Sequence, residues 1–152
     1  MGHVRDWPAT PRTGRRGDRR AQAYADYGYA VKNVYVTSTR AAELRLEGKE
    51  TSAAYHETLA ELARLNVERT ATWESVLLLG HPGTIAAART WHRRVWQVER
   101  FARGQRTDTD QWDAVHSDIN ADRDRFYAAA RQDLGITTGD VPRGESWEAA
   151  SS

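Results

Sequence analysis

The sequence contains no cysteine among its 152 residues, which excludes disulfide bonds, thiolate metal sites and cysteine nucleophiles. It also lacks an apolar stretch near the roughly 20 residues that a membrane-spanning helix needs. The run of valine and leucine at 76–79 is only the end of an amphipathic segment. A secretory signal requires an apolar segment after its basic residues, and no such segment follows the N-terminal arginines here. We therefore expect a cytoplasmic protein without a transmembrane segment.

Several motifs that carry chemistry are also missing. A di-iron bundle needs Glu-x-x-His on two of its helices, and the nearest approach here is the single pair Asp113 and His116. There is no Gly-x-Ser-x-Gly and no glycine-rich phosphate loop with its lysine. The five histidines fall on separate segments. We predict no catalytic residue, no cofactor and no metal ligand. One alternative is a hydrolase or metalloenzyme of unrecognised type with its site between the helices.

What the sequence does contain is an uneven distribution of charge. The chain has a net charge of +1, but residues 1–20 hold six arginines and two aspartates, so residues 21–152 are mildly acidic. Residues 1–18 mix arginine with proline and glycine and have little to bury, which predicts a disordered basic arm. Such an arm can contact nucleic acid or an acidic membrane surface, although a solvated leader is the simpler interpretation. Residues 137–152 are polar and predict a flexible tail.

Between these ends, apolar side chains recur in steps of three and four, the pattern of amphipathic helices. Glycines and helix-capping residues divide the segment, and the predicted helices span 19–47, 52–79, 84–103 and 109–134. The third is rich in arginine and the fourth in aspartate, which suits helices that lie side by side. Because short connections favour antiparallel neighbours, we predict an all-α, up-down four-helix bundle over residues 19–136, built from two long helical hairpins.

The apolar stripes of these helices predict the core. They place thirteen side chains inside the bundle, namely Tyr27, Val31, Val34, Leu59, Leu62, Trp73, Val76, Trp91, Val95, Trp112, Val115, Ile119 and Phe126. Asn66 and Arg69 also fall on the stripe of the second helix. Either the stripe drifts onto Ala63, Val67 and Thr70, or a polar pair is buried in the bundle. The sequence leaves both arrangements open.

The third helix has a second face that could bind a partner. Trp96 lies about 140° around the helix from Trp91, so both cannot face one seam. We expect Trp96 to fill a second groove within the bundle. The alternative is an exposed aromatic anchor, since tryptophan and arginine dominate interface hot spots. The candidate partner-binding residues are His92, Trp96, Arg100 and Arg103.

The same helix supports a nucleic-acid-binding alternative. Arg89, Arg93 and Arg100 interleave with Trp96, a mixture of charge and aromatic surface that serves phosphate contact and base stacking. The basic arm would add to this surface. The acidic fourth helix weakens the alternative, because it would lie alongside and cancel much of the positive field.

Two segments resemble a group of small, uncharacterised bacterial proteins that are all-helical. One is the Leu-Gly-His-Pro turn within 77–82 with the alanines at 86–88, and the other is 125–136, which ends in Leu-Gly-Ile. The resemblance covers about residues 20–136. It implies a long helix pair joined at a Leu-Gly turn, and it brings no known activity and no functional residues. Many members carry an N-terminal membrane helix, which residues 1–20 of this chain cannot form.

These observations favour a non-catalytic protein–protein interaction module, a regulatory, adaptor or scaffold component that binds another protein or a second copy of itself. Tyrosine and tryptophan are abundant, six of each against two phenylalanines, and their polar tips suit half-exposed interface positions. Helical bundles also offer amphipathic faces to further helices. Nucleic acid is the less favoured partner.

Overall fold

The computed structural model describes residues 12–136 and residue 139, with side chains from Gly17 onward. Its helices are Arg12–Leu46 (α1), Ala53–Leu79 (α2), Pro82–Ala102 (α3) and Trp112–Asp133 (α4), with a 3-10 turn, Thr109–Gln111, before α4. No strand occurs among the described residues. In this part of the chain no helix is both long and apolar enough to cross a membrane. The all-α class and the four separate helices predicted from the sequence are confirmed.

Helix α1 begins at Arg12, although the sequence predicted a start at residue 19. Arginine is a good helix former, so the arginine-rich turns ahead of the apolar stripe join the helix despite two glycines. Residues 12–18 of the predicted basic arm therefore lie within α1. Residues 1–11 of the predicted arm lie outside the described residues, as does the predicted tail apart from residue 139.

Contacts at the two ends of the bundle establish its up-down course. At one end, Arg20 near the start of α1 donates to the carbonyl of Leu79 at the end of α2, with 3.1 Å between Nε and oxygen. The same guanidinium lies 3.3 Å from the carboxylate of Asp133 at the end of α4. At the other end, the hydroxyl of Tyr55 in α2 donates to the carbonyl of Ala102, the last residue of α3. Helices α1 and α3 therefore run parallel, and α2 and α4 run in the opposite direction.

Helix α1 has two close neighbours. It lies against α2, its antiparallel partner, and also against the parallel helix α3, which in turn lies against α4. Short side chains let helix backbones approach one another. The small residues buried on α1 are Ala23, Ala30, Ser38, Ala41 and Ala42.

The core is centred on aromatic rings contributed by all four helices. Tyr27 contacts Trp73, Trp91 and Phe126, with ring centroids 5.4, 6.4 and 5.7 Å away. Ten of the thirteen side chains predicted for the core are buried, and the other three, Leu59, Trp73 and Trp112, are partly exposed and packed against it. The tyrosine remains hydrogen-bonded, because its hydroxyl donates to the carbonyl of Ala88 at 3.1 Å.

A polar layer, defined here as Asn66, Arg69, His92 and Glu99, lies between α2 and α3. The amide of Asn66 donates to Glu99 at 2.9 Å, and Arg69 lies 3.4 Å from the amide oxygen of Asn66. All four side chains are partly buried. Val67 is 72% exposed, so the apolar stripe of α2 does not drift outward. Of the two arrangements that the sequence left open, the inward polar pair is the correct one.

Ion pairs join α3 to α4, as their opposite charges predicted. Arg94 of α3 lies 3.1 Å from Asp122 and 3.5 Å from Asp118. The carboxylate of Asp122 is almost fully buried and also accepts from Arg125 at 2.7 Å. A charge that interrupts the apolar stripe of α4 is thus neutralised by one arginine from each helix.

Candidate partner-binding surface

Local interactions fix where α3 begins and where it ends. His81 caps the helix, because its Nδ1 accepts a hydrogen bond from the backbone N–H of Gly83 at 3.1 Å. Pro82 follows in the first turn, where its missing N–H costs no hydrogen bond. Beyond the last turn, Gly104 adopts a φ of 72°, a conformation that favours glycine. A Cβ at Gly104 would also meet the guanidinium of Arg45, but this is the flexible end of a side chain and can move aside, so the positive φ is the reason for glycine here.

The buried stripe of α3 faces the core and leaves one side of the helix to solvent. The buried residues are Thr84, Ala88, Trp91, Val95, Val98, Phe101 and Ala102. On the opposite side lie Arg89, Arg93, Trp96 and Arg100, which we call the α3 outer face. Arg89, Arg93 and Trp96 are exposed and Arg100 is half-buried.

The sequence predicted that Trp96 fills a second groove within the bundle, and this prediction is wrong. Its side chain is 47% exposed. The physical reason is the polar layer, because His92 and Glu99 lie nearer to the buried stripe than Trp96 does and occupy the groove beside α2. Trp96 is therefore displaced to the α3 outer face.

The arginines of the α3 outer face have no acidic partners among the described residues, and one of them contacts the Trp96 indole. The guanidinium of Arg100 lies over the Trp96 ring, 5.4 Å from its centroid. That of Arg89 lies 5.8 Å from the centroid of Trp73. Within the described part of the chain, no carboxylate lies within ion-pair distance of Arg89, Arg93 or Arg100. The α3 outer face thus combines one half-exposed aromatic ring with three positive charges.

The structure separates the four residues that the sequence grouped as a partner-binding site. Trp96 and Arg100 are in contact on the α3 outer face. Arg103 is tied to Glu99, 2.9 Å away, and so belongs to the edge of the polar layer. Burial, with the nearby charge of Arg69, lowers the pKa of His92 to about 4, although Glu99 opposes the shift. His92 is therefore neutral at pH 7 and fills the groove beside α2.

The isolated pair Asp113 and His116 does not form a metal cluster. His116 lies in an aromatic setting, where its Nδ1 meets the hydroxyl of Tyr35 and its ring lies 4.3 Å from the centroid of Trp112. Across residues 12–136, no group of three or more histidine, aspartate or glutamate side chains could hold a metal ion.

An open cleft between α3, α4 and the connecting loop is basic but largely neutralised. It has a volume of about 440 Å³, and Arg93, Arg94 and Arg106 contribute to its lining. Arg94 is engaged by Asp118 and Asp122, as described above. Arg106 is engaged by Asp108 at 2.7 Å. Of the three, only Arg93 has no carboxylate within ion-pair distance among the described residues.

Comparison of the chain with protein-family models, with curated proteins and with solved structures returns no match.

Proposed function

We propose that this protein is a non-catalytic helical interaction module that uses the α3 outer face to bind an acidic segment of a partner protein. The observation that carries the proposal is Trp96, which is half-exposed with Arg100 over its ring and shares one helix face with three arginines that have no ion-pair partners in the described residues. Tryptophan and arginine are the residue types that dominate the energetics of protein interfaces. We further propose that the contact is made in the cytoplasm, since a chain without cysteine needs no oxidising compartment to fold.

The geometry of the face supports an occupant that is both acidic and partly apolar. Arg100 already lies over the indole, so a partner meets an ordered cation–aromatic pair rather than two mobile side chains. Carboxylates on the partner would supply the pairing that Arg89 and Arg93 lack among the described residues. An apolar side chain beside those carboxylates would cover the exposed part of Trp96.

Nucleic acid is the second candidate partner, and one observation favours it. The acidic residues Asp118 and Asp122 of α4 are engaged by Arg94, which leaves the outer arginines of α3 without local compensation. The weakness of this candidate is the small number of charges. Proteins that hold nucleic acid firmly through its phosphates make several such contacts, on the order of six to ten. The α3 outer face offers three.

Affinity capture from the native host tests the primary proposal. The wild-type chain is compared with Trp96→Ala and with the charge reversal of Arg93 and Arg100 to glutamate. Two matched controls alter exposed positions elsewhere, Leu78→Ala on α2 and Arg40→Glu on α1. We expect a specific protein that binds the wild type and both controls but is lost from both α3 variants. Its affinity, remeasured with purified components, should fall by about tenfold or more for Trp96→Ala.

The same capture distinguishes the two candidates. Nuclease treatment should leave the captured protein in place. Deletion of residues 1–11, which stops short of Arg20 and its contacts with α2 and α4, should also have little effect. The proposal is wrong if no specific protein is captured while nucleic acid co-purifies and is released by moderate salt. Light scattering on the purified chain covers the remaining case, in which the partner is a second copy and Trp96→Ala yields monomers.

A further inference from the structure

Helix α2 carries apolar side chains on the side that faces away from the core. Its buried residues are Tyr55, Thr58, Leu62, Leu65 and Val76. Val67 follows Leu65 by two positions, which places it about 160° away around the helix, and its side chain is 72% exposed. Ala60, Ala63 and Ala71 are exposed along the same side. The solvent side of an amphipathic helix normally carries polar and charged residues, so an apolar stripe here points to a contact with another molecule.

Glutamates lie at both ends of this apolar stripe. Glu57 precedes it and Glu74 follows it, and both side chains are exposed. Neither carboxylate has a basic side chain within ion-pair distance among the described residues. We call the four apolar residues together with these two glutamates the α2 outer face.

The charges beside the stripe keep the same sign. Arg64 lies 2.5 Å from Glu61 and 2.6 Å from Glu68, so one arginine is shared by two glutamates. The hydrogen bond from Arg64, with the nearby charge of Arg40 on α1, lowers the pKa of the Glu61 carboxyl. These side chains already interact with one another. The capacity of α2 to pair with new positive charges therefore rests on Glu57 and Glu74.

The α2 outer face and the α3 outer face match in length and are opposite in charge. The stripe over 60–71 and the arginines over 89–100 each extend about 16 Å along their helices. On α3 an aromatic ring, Trp96, lies between arginines, and on α2 small aliphatic side chains lie between glutamates. Alanines leave room for a large ring to approach a helix closely, because the distance between packed helices depends on the side chains at the contact.

The signs of these charges determine how two copies of the chain can meet. Two α3 outer faces would place arginine against arginine, and two α2 outer faces would place glutamate against glutamate. Like charges that face one another across an interface disfavour the contact. The α2 outer face of one copy against the α3 outer face of another brings opposite charges together. Because the two faces lie on different helices, such a contact is head-to-tail rather than two-fold symmetric.

We propose that this protein self-associates head to tail, with the α2 outer face of one copy against the α3 outer face of the next. The inference rests on the proposed function, because it identifies the acidic and partly apolar partner of the α3 outer face as a second copy of the chain. Trp96 of one copy covers Val67 and the alanines of the next, and Glu57 and Glu74 pair with the arginines. Each dimer keeps one free face of either kind, so further copies can add or a ring can close.

Sedimentation of the purified full chain over a range of concentrations tests the inference. We expect the wild type to self-associate at or below about 1 mM, and the association to weaken as salt is added. Trp96→Ala alters the α3 outer face, and Val67→Lys combined with Glu74→Lys alters the α2 outer face. Each change should weaken association about tenfold or more while the circular dichroism spectrum is unchanged. If Trp96→Ala fails to fold, Arg93→Glu tests the same face.

Helix α1 offers a matched control for the lysine variant. Val36 and Glu43 are exposed and lie seven positions apart, as Val67 and Glu74 do. Val36→Lys combined with Glu43→Lys therefore makes the same two exchanges, at the same spacing, away from both faces. This control should associate as the wild type does.

Mixing the two altered chains tests the head-to-tail arrangement itself. Trp96→Ala keeps an intact α2 outer face, and the chain with lysine at positions 67 and 74 keeps an intact α3 outer face. An equimolar mixture should form a heterodimer that does not grow further, although each chain alone is monomeric at the same concentration. A two-fold symmetric contact between like faces would give no such recovery.

Three results would overturn this inference. They are a wild-type chain that stays monomeric up to about 1 mM, a lysine variant that associates as the wild type does, and a mixture of the two altered chains that stays monomeric. If the purified chain is monomeric while affinity capture returns a different protein that Trp96→Ala loses, the inference is wrong and the proposed function stands. If neither self-association nor capture depends on Trp96, both are wrong.

Discussion

His92 provides a direct test of the polar layer between α2 and α3. Its pKa in the folded chain is about 4, against an ordinary value of 6.5, because burial and the charge of Arg69 outweigh the opposing Glu99. The unfolded chain therefore binds more protons than the folded chain between these two pH values, so the free energy of unfolding falls as pH falls through this window. The whole shift corresponds to about 3 kcal/mol, of which about 2 kcal/mol separates pH 7 from pH 4.5.

The perturbation is His92→Phe, which keeps a planar ring in the groove and removes the titration. Urea unfolding of wild type and variant is measured at pH 7 and pH 4.5, and the carboxylates that titrate in both proteins cancel in the comparison. Relative to the wild type, the variant should be about 2 kcal/mol more stable at pH 4.5 than it is at pH 7. His56→Phe, at an exposed position of α2, makes the same substitution away from the polar layer and is the matched control. A constant difference for His92→Phe, within about 0.5 kcal/mol, would refute the assignment of His92 as buried and neutral.

Three further predictions concern the core, the buried charge and metal content. Trp91→Ala should lower the free energy of unfolding by about 3–5 kcal/mol and Trp96→Ala by under about 0.5 kcal/mol, since only the first is buried; equal losses in urea titrations would contradict this. Replacing Arg94 and Arg125 together by alanine should cost about 3–5 kcal/mol, because the buried Asp122 carboxylate then lacks both partners, and adding Asp122→Ala should recover part of that loss. The fold should need no metal, so a chelator should leave the Tm unchanged. Stoichiometric iron, zinc or manganese in the purified protein, measured by mass spectrometry, would contradict this prediction.

The helices could be predicted because their signals are local. Steps of three and four in the apolar residues gave the stripes, and Gly48 and Gly104, both at positive φ, follow the ends of α1 and α3. The start of α1 could not be read in this way. The residues from Arg12 onward carry no apolar stripe, and their helix continues outward from a segment that is already folded.

The tertiary arrangement was less accessible, because it depends on which helices meet. Helical periodicity placed Asn66 on the inner stripe but could not show that Glu99 of α3 would supply its acceptor. The close parallel contact of α1 with α3 left no trace in either stripe taken alone. The candidate site shows the same limit. Interleaved charge and aromatic residues singled out Arg100 and Trp96, but their exposure followed only from the position of α2.

The polar layer and the α3 outer face follow from one arrangement of residues on α3. His92 and Glu99 occupy the positions between the buried stripe and Trp96. Glu99 accepts a hydrogen bond from Asn66 of α2 and forms an ion pair with Arg103 of its own helix. A groove closed by these polar groups cannot accept an indole, so Trp96 stays outside with Arg100 over its ring. In the isolated chain this exposed ring contributes little to stability, and the neighbouring arginines repel one another. A partner that covers the indole and pairs the arginines would convert both features into binding energy, which is why we propose this face for the contact.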